Sequence, residues 1–380
     1  MEDFKRYILA LSTYVGTIIG VGIFGLPYVA MKFGFWPTIL IYFPVLGAVT
    51  ILIHLLYGEI SLKTAEVHRL PGYAKMYLGK GGEAAALISS VISLYGSMLA
   101  YLIIGGDFLS AWLVPIFGGN TLAYILIFFF LGSIIIFSDS KAVGRVEFYS
   151  LIVLFGAFIF LLIKGLPQIN VDNFSGVDWQ NGFLPYGIIL FSLSGLSVVP
   201  EISEMLGKKP KAVKSLLKLG IIIASVVYIL FITLAVGISG SETTRDALLG
   251  LKPLLGATTV IAVLIFGIMA TFTSYLTAGQ VVKKILIYDL RFDNFTAWVI
   301  ACFVPLILYF VGLQDFIKIV SFTGAVSLGV WGIIIFLIHQ KLKDTGNDMP
   351  SYRIWLPKPL AYILIVLFLI GVAVEVVYLL

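Results

Sequence analysis

The stretch GTIIGVGIFGLPYVA, residues 16–30, places four glycines and one proline inside an apolar segment near the start of the chain. Glycine and proline are the least favourable residues in the interior of a helix. A break in a membrane helix exposes peptide groups where no water can bond them, and it is tolerated only beside protein or a water-filled cavity. The stretch therefore predicts a discontinuous membrane helix that lines a cavity.

The composition indicates a membrane protein. Of the 380 residues, 60% are hydrophobic and only 12% are charged, and the mean hydropathy is +1.07. A soluble domain carries about a quarter of charged residues, so this chain has too little polar surface to face water. The apolar runs are continuous and do not alternate with polar residues, which excludes a transmembrane β-barrel.

Apolar runs of the length that a spanning helix needs, about 20 residues, predict an all-α integral membrane protein with eleven transmembrane helices. We interpret residues 1–380 as one transmembrane transporter domain without a separate soluble part. The predicted spans are residues 7–31, 37–62, 84–113, 121–138, 146–164, 183–206, 212–237, 253–287, 295–312, 317–340 and 359–379.

The lysines and arginines predict the orientation. With the N-terminus in the cytoplasm, 20 of the 25 basic residues fall in cytoplasmic segments and 5 in outer segments. Cytoplasmic loops of membrane proteins carry such an excess. We therefore expect a multi-pass protein of the cell membrane with a cytoplasmic N-terminus and an extracellular C-terminus. Residues 63–83 are too polar to span and predict a short amphipathic helix on the cytoplasmic face.

A second interrupted span lies five helices after the first and crosses in the opposite direction. Its sequence, ILFSLSGLSVVPEISE over residues 189–204, has serines and a glycine at mid-helix and then Pro200. Two interrupted helices at matching positions of inverted halves indicate the binding site of a transporter. The inverted repeats would be residues 7–164 and 183–340, with residues 359–379 as an additional helix.

The two breaks predict a site for a zwitterion. Backbone amides at the start of a half-helix can hold a carboxylate without a full positive charge, and carbonyls of the second break can accept from an ammonium group. No charged residue lies close to either break, and an intramembrane charge would mark a charged substrate, so a neutral amino acid is favoured. The substrate-binding residues predicted at the breaks are Gly20, Val21, Gly22, Ser192, Ser194 and Gly195.

Three stretches resemble the amino acid–polyamine–organocation superfamily, and most of all its amino acid/auxin permease branch. They are GTIIGVGIFGLPYVAMKFGF (residues 16–35), YGSMLAYLIIGGDFL (residues 95–109) and FSLSGLSVVPEISEMLGKKPKAVKSLL (residues 191–217). The resemblance implies a LeuT-like fold of five plus five inverted helices with helices 1 and 6 broken. It also implies secondary active transport of amino acids by alternating access.

The resemblance further implies roles for single residues. Phe191 matches the aromatic residue that closes over the substrate, and Tyr101 is a second pocket candidate. Sodium-coupled members hold the ion with backbone and hydroxyl oxygens of helices 1 and 8. The matching residues for one sodium ion are Gly16, Ile19, Ala270, Thr273 and Ser274.

The coupling ion and the substrate class have alternatives. Proton-coupled members carry a lysine near the position of Leu154, and none occurs there, so we expect sodium, with proton coupling as the alternative. His54 has two interpretations, a proton relay or a packing histidine with satisfied nitrogens. A nucleobase or amine is the alternative substrate. Besides the lipid bilayer and the solute we expect no nucleic acid, no cofactor and a monomer.

Two other function classes, an intramembrane protease and a channel, have little support in the sequence. Ser192 or Ser194 with His54 would suggest an intramembrane serine protease, but the pattern is weak and nothing in the sequence brings His54 to a serine. A channel would show repeated filters or charge rings, and neither is visible. The sequence therefore predicts a transporter and no enzyme activity.

Overall fold

The computed structural model describes residues 2–64, 66, 68–138, 140–251, 257–288, 290–342 and 352–379. Every regular element in these ranges is a helix, as the all-α prediction required. The helices of the first half are α1 (Glu2–Ile18), α2 (Gly22–Phe33), α3 (Phe35–Pro37), α4 (Phe43–Lys63), α5 (Leu70–Phe117), α6 (Thr121–Phe137) and α7 (Ser140–Gly165). Those of the second half are α8 (Leu184–Ser192), α9 (Val199–Met205), α10 (Pro210–Ser239), α11 (Leu248–Leu251), α12 (Ala257–Tyr288), α13 (Asn294–Phe310), α14 (Phe316–Gly324), α15 (Trp331–Leu342) and α16 (Lys358–Leu379).

The helices fall on the predicted spans. Seven helical segments in the described ranges are long and apolar enough to cross a membrane, with Leu184–Met205 (α8 and α9) and Phe316–Leu342 (α14 and α15) each counted as one. An eighth span results when α1 and α2, bent by 52°, are taken as one. Three shorter apolar helices match the remaining predicted spans; they are Thr121–Phe137, Phe155–Gln168 and Asn294–Phe310. The multi-pass helical architecture is thus present, while the count of eleven crossings remains a prediction.

The third predicted span differs from the observed helix at its start. Helix α5 begins at Leu70 and continues to Phe117, so part of the polar segment predicted as a separate amphipathic helix is joined to it. The two parts meet at Gly79, whose φ of +78° breaks the helical geometry. Glycine adopts this conformation at little cost because it has no Cβ.

Both broken helices pack among the same neighbours. Helix α10 contacts α1, α2 and α4, and α8 contacts α2 and α14, so the breaks lie inside the bundle. Helices α5 and α12 pack against each other beside them. This places the interrupted backbone where protein surrounds it, as membrane depth requires.

One end of the bundle, here called the N-terminal face, carries the start of α1 and the ends of α4 and α15. Asp3 forms an ion pair with Lys209 at 2.7 Å. His339 lies 3.2 Å from Glu59, and the side chains are 1% and 2% exposed. These two pairs therefore join segments that are distant in sequence at the N-terminal face.

Candidate substrate-binding site

The first break leaves backbone groups of the chain without helical partners. After α1 ends at Ile18, the Gly20 N–H donates to the Ile18 carbonyl at 2.9 Å and the Ile23 N–H to the Gly20 carbonyl at 3.3 Å. Within the described ranges, the N–H groups of Val21 and Gly22 have no hydrogen-bond acceptor. The break therefore frees amides at the start of α2, where the helix dipole favours an anion.

The second break is held by a histidine. Between α8 and α9 the Gly195 N–H donates to His54 Nε2 at 3.1 Å, and His54 Nδ1 lies 2.8 Å from the Thr50 carbonyl. Since Nε2 accepts, the proton is on Nδ1 and the ring is neutral. His54 is fully buried and both its nitrogens have partners, so the structure agrees with the packing interpretation. A serine hydroxyl takes no part in these bonds, so no nucleophile–base pair forms here.

The two breaks touch each other directly. A Cβ on Gly22 would lie 2.9 Å from Ser192 Cα, 3.0 Å from Phe191 Cδ1 and closer still to Ser192 Oγ. The Tyr228 hydroxyl lies 2.6 Å from the Ile18 carbonyl oxygen and 2.8 Å from that of Ser192. The atoms closest to Gly22 thus belong to Phe191 and Ser192, whereas the sequence predicted that Gly22 contacts the substrate.

A cavity of about 140 Å³ lies against both breaks and contains part of the predicted site. Among its lining residues are Gly16, Gly20, Tyr101, Phe191, Ser194 and Ser274. The other predicted residues do not line it; they are Ile19, Val21, Gly22, Ser192, Gly195, Ala270 and Thr273. All of these except the half-buried Thr273 are buried in the protein.

The polar end of the cavity lies where Gly20 faces two hydroxyls. A Cβ on Gly20 would lie 3.5 Å from the Tyr101 hydroxyl oxygen and 3.6 Å from Ser274 Oγ, which are ordinary contact distances. Gly20 thus leaves a space about one methyl group deep between α1, α5 and α12. The two hydroxyls can bond a small polar group placed there.

The cavity extends from the breaks towards the N-terminal face. Ser93 on α5 and Trp331 on α15 line it on that side. On the opposite side Phe24 of α2 packs edge-to-face on Phe108 and Phe266, with ring centroids 5.1 and 5.6 Å apart. These aromatic rings are buried and close the site on the side away from the N-terminal face.

Several polar residues line the cavity besides the predicted ones. Ser93 and Ser97 precede Tyr101 by eight and four residues, a spacing that puts all three on one helix face, and this pattern was available in the sequence. Ser327 and Trp331 show no such spacing, because Ser327 lies within an irregular π-helical segment, Ala325–Val330, and Trp331 directly follows it. The missed residues that line the cavity include Ser93, Ser97, Ser197, Thr277, Ser327 and Trp331.

Only some of the predicted ion ligands line the cavity. Gly16 and Ser274 line the cavity. The Thr273 hydroxyl instead lies 2.9 Å from the Met269 carbonyl oxygen and 3.3 Å from that of Ala270, so it bonds back to its own helix. The side chain of Leu154, on which the argument against proton coupling depends, lies outside the described part of the chain.

Comparison with known proteins adds the family. The model of the tryptophan/tyrosine permease family matches residues 5–377, nearly the whole chain. The chain belongs to this family. The permease is 23% identical over 363 residues to tyrosine-specific transport system 1 of Haemophilus influenzae, covering 90% of this chain and 89% of the relative. It is 25% identical over 369 residues to tyrosine-specific transport system 2 of the same organism, covering 89% and 88%.

Family membership establishes the class of function. The permease belongs to a family of amino acid transporters and is not an enzyme. Its membrane location agrees with the apolar helices. The serine protease considered from the sequence is thereby set aside, in agreement with the contacts of His54.

Proposed function

We propose that the permease carries an aromatic amino acid, tyrosine or tryptophan, across the cell membrane. The observation that carries this proposal is the cavity of about 140 Å³ between the two broken helices. A cavity of about 150 Å³ in another protein binds benzene, so this space suits a six-membered ring. The family name and the names of both relatives support an aromatic substrate over a nucleobase or amine.

Opposite partial charges at the breaks suit a zwitterion. Helices α1 and α8 end at Ile18 and Ser192, and their carbonyl ends carry the negative ends of the helix dipoles. The substrate ammonium group would bond the Ile18 carbonyl, since Ile18 lines the cavity. The carboxylate would lie beside Gly20, where the hydroxyls of Tyr101 and Ser274 converge. Phe191, which lines the cavity, would contact the aromatic ring.

We further propose a LeuT-like arrangement of eleven spans, as in the amino acid/auxin permease branch, working by alternating access. The two discontinuous helices and the cavity between them support it. The basic residues favour a cytoplasmic N-terminal face, and the cavity extends towards that face, so the structure would be an inward-open form. Uptake would then require the aromatic rings around Phe24 to separate on the outer side.

For coupling we propose one sodium ion bound beside the break of helix 1. The carbonyls of Gly16 and Ile19 accept no hydrogen bond from the described residues, so both oxygens are free for an ion. Ser274 would add a hydroxyl, as would Thr273, which donates to its own helix and keeps lone pairs. The Ala270 carbonyl completes five oxygen ligands without a full charge. Proton coupling is the alternative.

Ligand-dependent thermal stabilisation tests substrate and ion together. The purified permease is heated with each of the twenty amino acids, in sodium and in choline chloride. Tyrosine or tryptophan should raise the unfolding midpoint, and sodium should enlarge the shift. Stabilisation by a non-aromatic amino acid alone would refute the proposed substrate. An equal shift in choline would refute the sodium site.

A matched variant places the substrate in the cavity. Gly20→Ala adds a methyl group that fits sterically but occupies the space between Tyr101 and Ser274. Its midpoint without ligand should stay close to that of the wild type, while the shift caused by tyrosine should be lost. A full shift in this variant would mean that the amino acid binds elsewhere.

A further inference from the structure

Tyr228 lies on α10, outside every motif that the sequence argument used. Its side chain is fully buried. Its hydroxyl is within hydrogen-bond distance of two carbonyls, 2.6 Å from Ile18 and 2.8 Å from Ser192. These are the last residues of α1 and α8. One hydroxyl from a third helix therefore contacts both discontinuous helices at the points where they break.

The number of protons distinguishes the two carbonyls. A tyrosine hydroxyl has one proton, so it donates to one of the two oxygens at a time. The Ile18 carbonyl also accepts from the Gly20 N–H at 2.9 Å. In the described ranges, the Ser192 carbonyl has no donor other than Tyr228. Because an unsatisfied buried carbonyl is costly, the Ser192 peptide depends on this hydroxyl.

We propose that Tyr228 is a positioning residue for the substrate, which holds the carbonyl ends of both broken helices in register. This rests on the proposed function. Ile18 lines the cavity, and in the proposed complex the substrate ammonium group bonds its carbonyl and replaces the hydroxyl there. The Tyr228 hydroxyl then donates its hydrogen bond to the Ser192 carbonyl. Binding at helix 1 thereby fixes helix 6 through one hydrogen bond.

The contacts of Ser192 carry this effect to the cavity. Gly22 packs directly on Ser192, and the cavity-lining residues Phe191 and Ser194 flank it in the chain on either side. A rotation of the Ser192 peptide would move all three. The second break has one other hydrogen bond to a neighbouring helix, from the Gly195 N–H to His54. This bond does not involve the Ser192 carbonyl, so it cannot replace the bond from Tyr228.

The test is Tyr228→Phe, which keeps the ring and removes the hydroxyl. The dissociation constant of L-tyrosine should rise about tenfold, which corresponds to about 1.4 kcal/mol. Tyr124→Phe is the matched control, since it removes a buried hydroxyl that donates to the Gly118 carbonyl at 2.7 Å, away from the cavity. Its dissociation constant should stay within twofold of the wild type.

Thermal midpoints without ligand separate affinity from folding. A role in stability alone would lower the midpoint of Tyr228→Phe and leave its tyrosine affinity unchanged, which would overturn the inference. An equal loss of affinity in Tyr124→Phe would overturn it too. A wild-type protein that binds no aromatic amino acid would refute the proposed function itself, and the inference with it.

Discussion

Replacing Gly22 with alanine should force the two broken helices apart. The added Cβ would lie 2.9 Å from Ser192 Cα and 3.0 Å from Phe191 Cδ1, and closer still to Ser192 Oγ. The serine hydroxyl cannot easily turn away, because it donates to the Ile188 carbonyl at 2.8 Å. One of the opposing atoms is backbone, so relief of the contact requires movement of α2 relative to α8.

The size of the effect follows from overpacking. An added methyl group in a well-packed core costs about 1–3 kcal/mol, and we take about 2 kcal/mol here because one opposing atom, Ser192 Cα, is backbone. This cost falls on the arrangement that binds substrate, so L-tyrosine should bind roughly 30-fold more weakly.

Equilibrium binding of radiolabelled L-tyrosine to the purified permease measures this change. Gly47→Ala is the control, because Gly47 lies on α4 and an added Cβ there meets no atom within 4 Å. The control should bind like the wild type. If Gly22→Ala and Gly47→Ala bind L-tyrosine equally well, the contact between the two breaks does not shape the site and the reasoning fails.

Three further predictions concern the ion, the orientation and a buried pair. Thr273→Val removes one proposed sodium ligand, so the sodium concentration for half-maximal uptake should rise about tenfold, for about 1.4 kcal/mol; uptake driven by a pH gradient and indifferent to sodium would refute the site. In a cysteine-free background on intact cells, an impermeant maleimide should label Ser175→Cys but not Lys211→Cys, and the reverse would overturn the topology. His339→Ala removes the partner 3.2 Å from the buried Glu59 and leaves Lys63 at 3.5 Å and the Ile354 N–H at 2.9 Å, which should lower the free energy of unfolding by about 1.5 kcal/mol; an unchanged thermal midpoint would contradict this.

The position of both breaks was predictable from the sequence alone. Glycines near Gly20 and the serines and glycine before Pro200 disfavour a helix within a single turn, and the structure interrupts both helices there. The helical spans were predictable for a related reason, since an apolar segment in a bilayer must satisfy its backbone N–H and C=O groups within itself, as a helix does. These features depend on residues that are close together in the chain.

The groups that complete the breaks were decided by tertiary structure. Nothing in the sequence indicates that Gly195 donates to His54 or that the Tyr228 hydroxyl contacts the carbonyls of Ile18 and Ser192. These partners come from α4 and α10, far away in the chain. Which face of each helix meets the break depends on how the helices pack, and apolar composition alone does not fix the rotation of a membrane helix.

The role of Gly22 shows the same division. The sequence predicted Gly22 as a substrate-binding residue. The structure instead packs Gly22 directly on Ser192, where a Cβ would clash. A glycine at a buried position indicates that other atoms lie close to its Cα, because a side chain there would occupy their space. The identity of the approaching atoms depends on the neighbouring helix, which only the packed bundle brings into contact.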